Sequence, residues 1–190
     1  MEIRNSFIRN LLLLGNLSLN LVSSISAFAQ SSDYTSLKIN ECKKPSKAVV
    51  KTYASQGLAV LECPGLGGYR LFLVSSEERS WIDIARGKGR WSSEKDVVYQ
   101  HQFGYFPNVA SSALAEWRRN PAGQPVALIF RIAAQRPEAD QNTPGSLLSR
   151  LVVIRLDSKR PCVLGVVEDN ESARTLADSA RDCPATANSR

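Results

Sequence analysis

Residues Val126 to Ala134 read VALIFRIAA, and this stretch decides the fold. Apolar residues occupy both alternating positions, where a half-exposed strand would place polar residues on one side. That pattern belongs to a central strand covered on both faces. Turn chemistry brackets it. Asn120-Pro121-Ala122-Gly123 precedes it, and a polar segment containing Pro and Gly follows over 135–146. Working outward, Leu147 to Leu156 is a second strong strand, Asp157 to Pro161 a turn, and Cys162 to Glu168 the returning hairpin partner. Ala113 to Arg118 reads as a short strand before the central one. Further upstream, Leu58 to Cys63, Tyr69 to Val74 and Trp81 to Ala85 form three apolar runs of β-branched and aromatic character. Gly-rich and polar turns separate them, so they predict an antiparallel meander.

The chain closes on a helical pattern over about 171–182. Ala173, Leu176, Ala177, Ala180 and Cys183 fall on one stripe at helical spacing, and Asp169 or Asn170 can cap it. Strands in runs with a helix set to one side predict an α+β domain. Its sheet is mostly antiparallel, with the C-terminal helix packed on it. Other stretches are less decided. Residues 30–41 read as a loose polar lead-in and 44–53 carry no clear signal. Gly87-Lys88-Gly89-Arg90 reads as a basic loop. Ser93-x-x-Asp96 matches a capping box for a short helix over about 94–102, and 103–109 is aromatic-rich and irregular.

The 190 residues carry 43% hydrophobic and 22% charged side chains, values of a globular chain rather than a disordered or collagen-like one. Arg4 and Arg9 precede an apolar stretch from Leu11 that ends in Ala27-Phe28-Ala29. A charged opening, an apolar middle and a small-residue exit make a secretory signal peptide, residues 1–29, cut before Gln30. Asn16, Ser18 and Asn20 interrupt the stretch and argue against a membrane anchor. The remainder, 30–190, reads as one domain with its ordered part over about 40–184, in the periplasm or secreted. The net charge of +6 is dispersed and names no partner. An exported protein is not expected to meet nucleic acid.

All four cysteines, Cys42, Cys63, Cys162 and Cys183, lie after the leader. An even count in an exported chain predicts disulfides. Of three possible pairings, Cys42–Cys63 and Cys162–Cys183 close short local loops, each contributing roughly 3 kcal/mol in the chain-entropy model. Metal binding would need close cysteine pairs or several His, and His101 is the only one. No metal or cofactor is expected.

A series of patches runs through the chain in order. Cys63-Pro64-Gly65 with Gly68-Tyr69 comes first, then Glu77-x-Arg79 and Glu116-Trp117-Arg118. Pro125 to Arg131, Leu151 to Arg155, and Cys162-x-x-Gly165-x-Val167 with Asp169 follow. The ordered set resembles a family of uncharacterised, exported alphaproteobacterial proteins over most of 34–183. The resemblance implies an exported, single-domain, disulfide-bonded protein and no activity. The basic Gly87–Arg90 loop departs from the family pattern.

Glu116-Trp117-Arg118 is the most unusual local feature. On a strand, Glu116 and Arg118 share one face and Trp117 takes the other. Arg131 and Arg155 also interrupt apolar strands. Such charges need partners, so a cross-sheet ion-pair network is expected, with Glu77 and Arg79 as further members. The functional alternative is a ligand-facing patch at Glu116 and Arg118 that grips a carboxylate or phosphate. Lys88 and Arg90 can present two cations to an anion, and Phe103 and Tyr105 can form a sugar- or partner-binding rim. No Ser lies in a nucleophile elbow, and paired cysteines leave no thiol nucleophile. The expected function is a noncatalytic periplasmic binding or envelope-associated protein, its partner an envelope component or another periplasmic protein. The alternative is a small envelope hydrolase using paired carboxylates, drawn from Glu77, Glu78, Asp83 and Glu116.

Overall fold

The structure is a computed structural model and describes residues 30–100, 104–111, 113–136, 147–156, 160–179 and 182–183. The predicted leader, His101, Phe103 and Ala180 lie outside the described residues. The chain folds as α+β, with two antiparallel sheets packed face to face. The small sheet has the order β2-β3-β4-β5. Its strands are β2 (Ala59–Cys63), β3 (Tyr69–Ser76), β4 (Arg79–Arg86) and β5 (Gly89–Ser92). The large sheet has the order β1-β7-β8-β9-β10, with β6 also paired to β8. Its strands are β1 (Ser31–Ser36), β6 (Tyr105–Val109), β7 (Leu114–Arg119), β8 (Pro125–Gln135), β9 (Leu147–Arg155) and β10 (Cys162–Val167).

Strand parity sorts the core. On β8, Leu128, Phe130, Ile132 and Ala134 face the small sheet and join the main apolar cluster. Ala127 and Ile129 face the other way, into a second cluster with Leu151, Val153, Ala173 and Ala177. β8 is therefore covered on both faces, as its sequence predicts. The outer cover is α2 (Asn170–Asp178), whose small Ala173 and Ala177 let it lie close to the sheet. A Cβ at Gly165 of β10 would approach Leu176 Cδ2 to 2.9 Å, so the bare backbone there admits the helix side chain. The Asp169 side chain caps α2 by accepting the Ser172 N–H at 2.8 Å. The helix stops at Asp178, short of the expected 182. Cys42–Cys63 and Cys162–Cys183 are the two disulfides.

The undecided stretches resolve through tertiary contacts. Instead of a loose lead-in, Ser31–Ser36 is an edge strand paired along β7, followed by a short 3-10 turn at Ile39–Glu41. Lys47–Ala54 forms α1, which buries Tyr53. The basic loop is a two-residue turn, Gly87-Lys88, after which β5 pairs back on β4. Ser93 does not open an α-helix. Its buried hydroxyl accepts from Ile82 N–H and donates to Ile82 C=O, clamping the chain beside β4, and a single π-helical turn follows at Lys95–Tyr99. β6 is irregular as expected, with a register shift and a positive φ of 51° at Phe106.

Candidate functional site

Glu116 and Arg118 share the outer face of β7, opposite Trp117, and both are buried. That face looks toward α2. The Glu116 carboxylate accepts from Arg174 Nε at 2.7 Å, Arg174 Nη2 at 3.2 Å and the Ser32 hydroxyl at 2.6 Å. The Arg118 guanidinium donates from Nε to Asp178 at 2.9 Å, from Nη2 to the Gln30 carbonyl at 3.0 Å, and also to Ser32. It stands 3.7 Å from Glu116. The expected ion-pair network exists, with other members: Arg174, Asp178 and Ser32 rather than Glu77 and Arg79. It ties β1 and α2 to β7. Burial pushes the Glu116 carboxyl up, but the bonds from Arg174 and Ser32 and the nearby guanidinium charges outweigh burial and hold it below its ordinary value. Arg131 and Arg155 reach the same helix, Arg131 at Asn170 and Arg155 at the Ser179 carbonyl.

A second polar cluster lies on the outer face of the small sheet, under α1. Asp83 accepts from the Tyr53 hydroxyl at 2.6 Å and from Trp81 Nε1 at 3.1 Å. Burial raises its carboxyl above the ordinary value, and the bonds from Ser92, Tyr53 and Trp81 and the Arg90 charge offset this only in part. Burial and the bond to Asp83 likewise push the Tyr53 phenol up. The Arg90 guanidinium stacks here, 4.9 Å from the Tyr53 ring centroid and 5.5 Å from that of Phe72. Arg90 is thus occupied in covering the α1 packing. Lys88 is exposed at the hairpin tip. Tyr105 is half exposed on β6 and lines neither of the two cavities described next.

A cavity of about 240 Å³ opens at the mouth of the sandwich, where the inner face of the β4–β5 hairpin meets the start of β10. Tyr69, Ile84, Arg86, Gly89, Arg90 and Trp91 form one wall, and Leu156, Arg160 and Pro161 the other, so Arg90, which stacks under α1, also borders this cavity. Parity explains the gathering. Tyr69 pairs with Arg86, and Ile84 with Trp91, all on the side facing the large sheet. The Arg86 guanidinium lies 4.7 Å from the Tyr69 ring centroid and donates to the Tyr69 hydroxyl at 3.0 Å. That hydroxyl donates across the mouth to the Leu156 carbonyl at 3.1 Å. Among the described residues no carboxylate lines the cavity and Arg86 forms no ion pair. Its charge is held in place by an aromatic ring and a phenol, neither of which neutralises it.

A second hollow, of about 220 Å³, lies beside the β3–β4 hairpin, with Arg79 and Glu94 both in its wall. Among the described residues, no group of three or more His, Cys, Asp or Glu is placed to hold a metal ion. No helix there is long and apolar enough to cross a membrane. Sequence reasoning put Glu116 beside Arg118 and picked out the basic hairpin. It named Arg90, which borders the cavity at the mouth, and missed Arg86, Tyr69, Trp91 and Arg160, which the fold brings together there. Compared with known proteins, the chain gives no significant match to any family model, curated protein or solved structure.

Proposed function

We propose that the chain is an exported, noncatalytic binding protein of the cell envelope, and that its binding face is the mouth of the sandwich. The observation that carries this reading is Arg86, fixed at an open cavity with no carboxylate partner among the described residues. A cation held ready in this way is suited to bind an anion. The two paired disulfides fit an oxidising compartment and brace the scaffold behind the mouth. Of the four acids a hydrolase could draw on, Glu116 and Asp83 are committed to structural bonds, and Glu77 and Glu78 are exposed at the β3–β4 turn. A general acid must carry a proton at working pH. Glu116 is held ionised by arginines, and Asp83, though burial favours its protonated form, is closed off from substrate beneath α1.

The test is co-sedimentation of the oxidised protein, residues 30–190, with isolated cell envelope and peptidoglycan sacculi at low and high salt. Binding that weakens as salt rises is expected, because screening cuts attraction to an exposed cation. Failure to sediment with either material would overturn the proposal. So would hydrolysis of the sacculi that Glu116→Gln abolishes.

A further inference from the structure

We infer that the mouth takes a small oxyanion, a phosphate or carboxylate group carried on a compact ring. This deepens the binding-protein reading and shares its site. The head group follows from Arg86. One Nη is spent on the Tyr69 hydroxyl, and the rest of its planar fork has no carboxylate partner among the described residues. A guanidinium in that state matches two oxygens of a phosphate or carboxylate. Its stacking on Tyr69 fixes the plane of the fork beforehand, so little side-chain freedom remains to be lost on binding. The ring follows from the walls. Trp91, Ile84, Leu156 and Pro161 supply flat and apolar surface within reach of the same void. The size follows from the volume. At about 240 Å³ the cavity falls below the roughly 300–1,000 Å³ of pockets that take drug-sized ligands. One ring and its head group are what it accommodates.

The experiment titrates the oxidised protein with phenyl phosphate, benzoate and inorganic phosphate, read by tryptophan fluorescence and by calorimetry. Phenyl phosphate and benzoate are expected to bind and to perturb Trp91. Inorganic phosphate, which cannot use the apolar walls, is expected to bind at least tenfold more weakly. Arg86→Ala should weaken phenyl phosphate at least tenfold. Arg86→Lys, which keeps the charge but loses the fork, should fall between the two. Both variants are checked for native circular dichroism, and if Arg86→Ala misfolds, Arg86→Lys carries the comparison.

The source of the anion is read by competition. Displacement of phenyl phosphate by phosphatidylinositol vesicles supports the site with a ring-bearing lipid headgroup as its ligand. Displacement by glucose 1-phosphate but not by vesicles supports it with a free ring-bearing phosphate ester. Equal affinity for inorganic phosphate and phenyl phosphate would overturn the inference, as would binding indifferent to Arg86. If envelope binding needs Arg86 while neither ring-bearing probe binds, the inference fails and the binding-protein reading stands. If the probes bind but the protein never sediments with envelope, the inference stands and that reading fails.

Discussion

Two buried acids, Asp83 and Glu116, meet burial with different partners and move in opposite directions. Glu116 has arginines against it and sits below its ordinary value of 4.5. In the unfolded chain it would bind protons more readily than in the native one. Its contribution to stability is therefore present above pH 4.5 and lost as pH falls through the lower, native value. Glu116→Gln should remove this acid sensitivity and cost about 2–4 kcal/mol at neutral pH, since it leaves Arg174 and Arg118 facing an amide. Urea unfolding of both proteins between pH 3 and 7 checks it; parallel pH profiles would refute the ion-pair account.

Asp83 has only neutral donors within bonding distance and rises above 3.8. The native state then binds the proton more tightly than the unfolded chain, so this group adds stability as pH falls through its raised value. Tyr53→Phe removes the hydroxyl that donates to it. An expected cost of about 1–3 kcal/mol at pH 7 follows from a buried carboxylate losing one bond. Asp83→Asn made on top of Tyr53→Phe should recover part of that loss, measured by the same urea midpoint.

Elements differ in how far their sequence declares them. β8 and α2 were readable because their apolar periods are strong and each covers a full buried face. α1 was not. Only Tyr53 among its eight residues is buried, Val49 and Val50 are half covered, and Ser46 makes no side-chain cap bond. What holds it is the Tyr53–Asp83 bond to a residue thirty positions away, which no local window contains. β1 has no apolar alternation either. Its pairing is fixed by backbone bonds to β7, by Ser32 on Glu116 and Arg118, and by Trp117 Nε1 donating to Thr35 Oγ1 at 2.9 Å. The β4–β5 turn looked like a loop because Gly87-Lys88-Gly89 has no apolar side chain to pack.

At this scale the Cys162–Cys183 bond tethers the chain just beyond α2 to the start of β10. Replacing both cysteines with serine should cost about 3 kcal/mol in the chain-entropy model. The loss should show first as faster amide exchange across 170–178, with β2 to β5 keeping their protection. Uniformly faster exchange in both sheets would contradict this local role.

For the whole molecule, two sheets and two outer helices bury the residues that the sequence made conspicuous and leave a different set at the opening. The Glu116–Arg118 pair was legible as a pair, and its reading as structural follows from α2 supplying Arg174 and Asp178 from 58 and 60 residues away. Apart from Arg90, the mouth was not legible. Tyr69, Arg86, Trp91 and Arg160 come from three separated stretches, and only strand register and sheet packing bring them to one cavity. Charge at the molecular level follows the same division. Arginines on the α2 side meet acids or carbonyls, whereas among the described residues Arg86 meets a ring and a phenol and no acid.

The most direct test of this division compares envelope co-sedimentation of Arg86→Ala and Glu116→Gln with the wild type at low salt, at a temperature where all three are folded. The account predicts that Arg86→Ala loses at least tenfold in binding while Glu116→Gln, though less stable, binds as the wild type does. Wild-type binding by Arg86→Ala together with lost binding by Glu116→Gln would contradict it, and would place the functional face at α2 and β7.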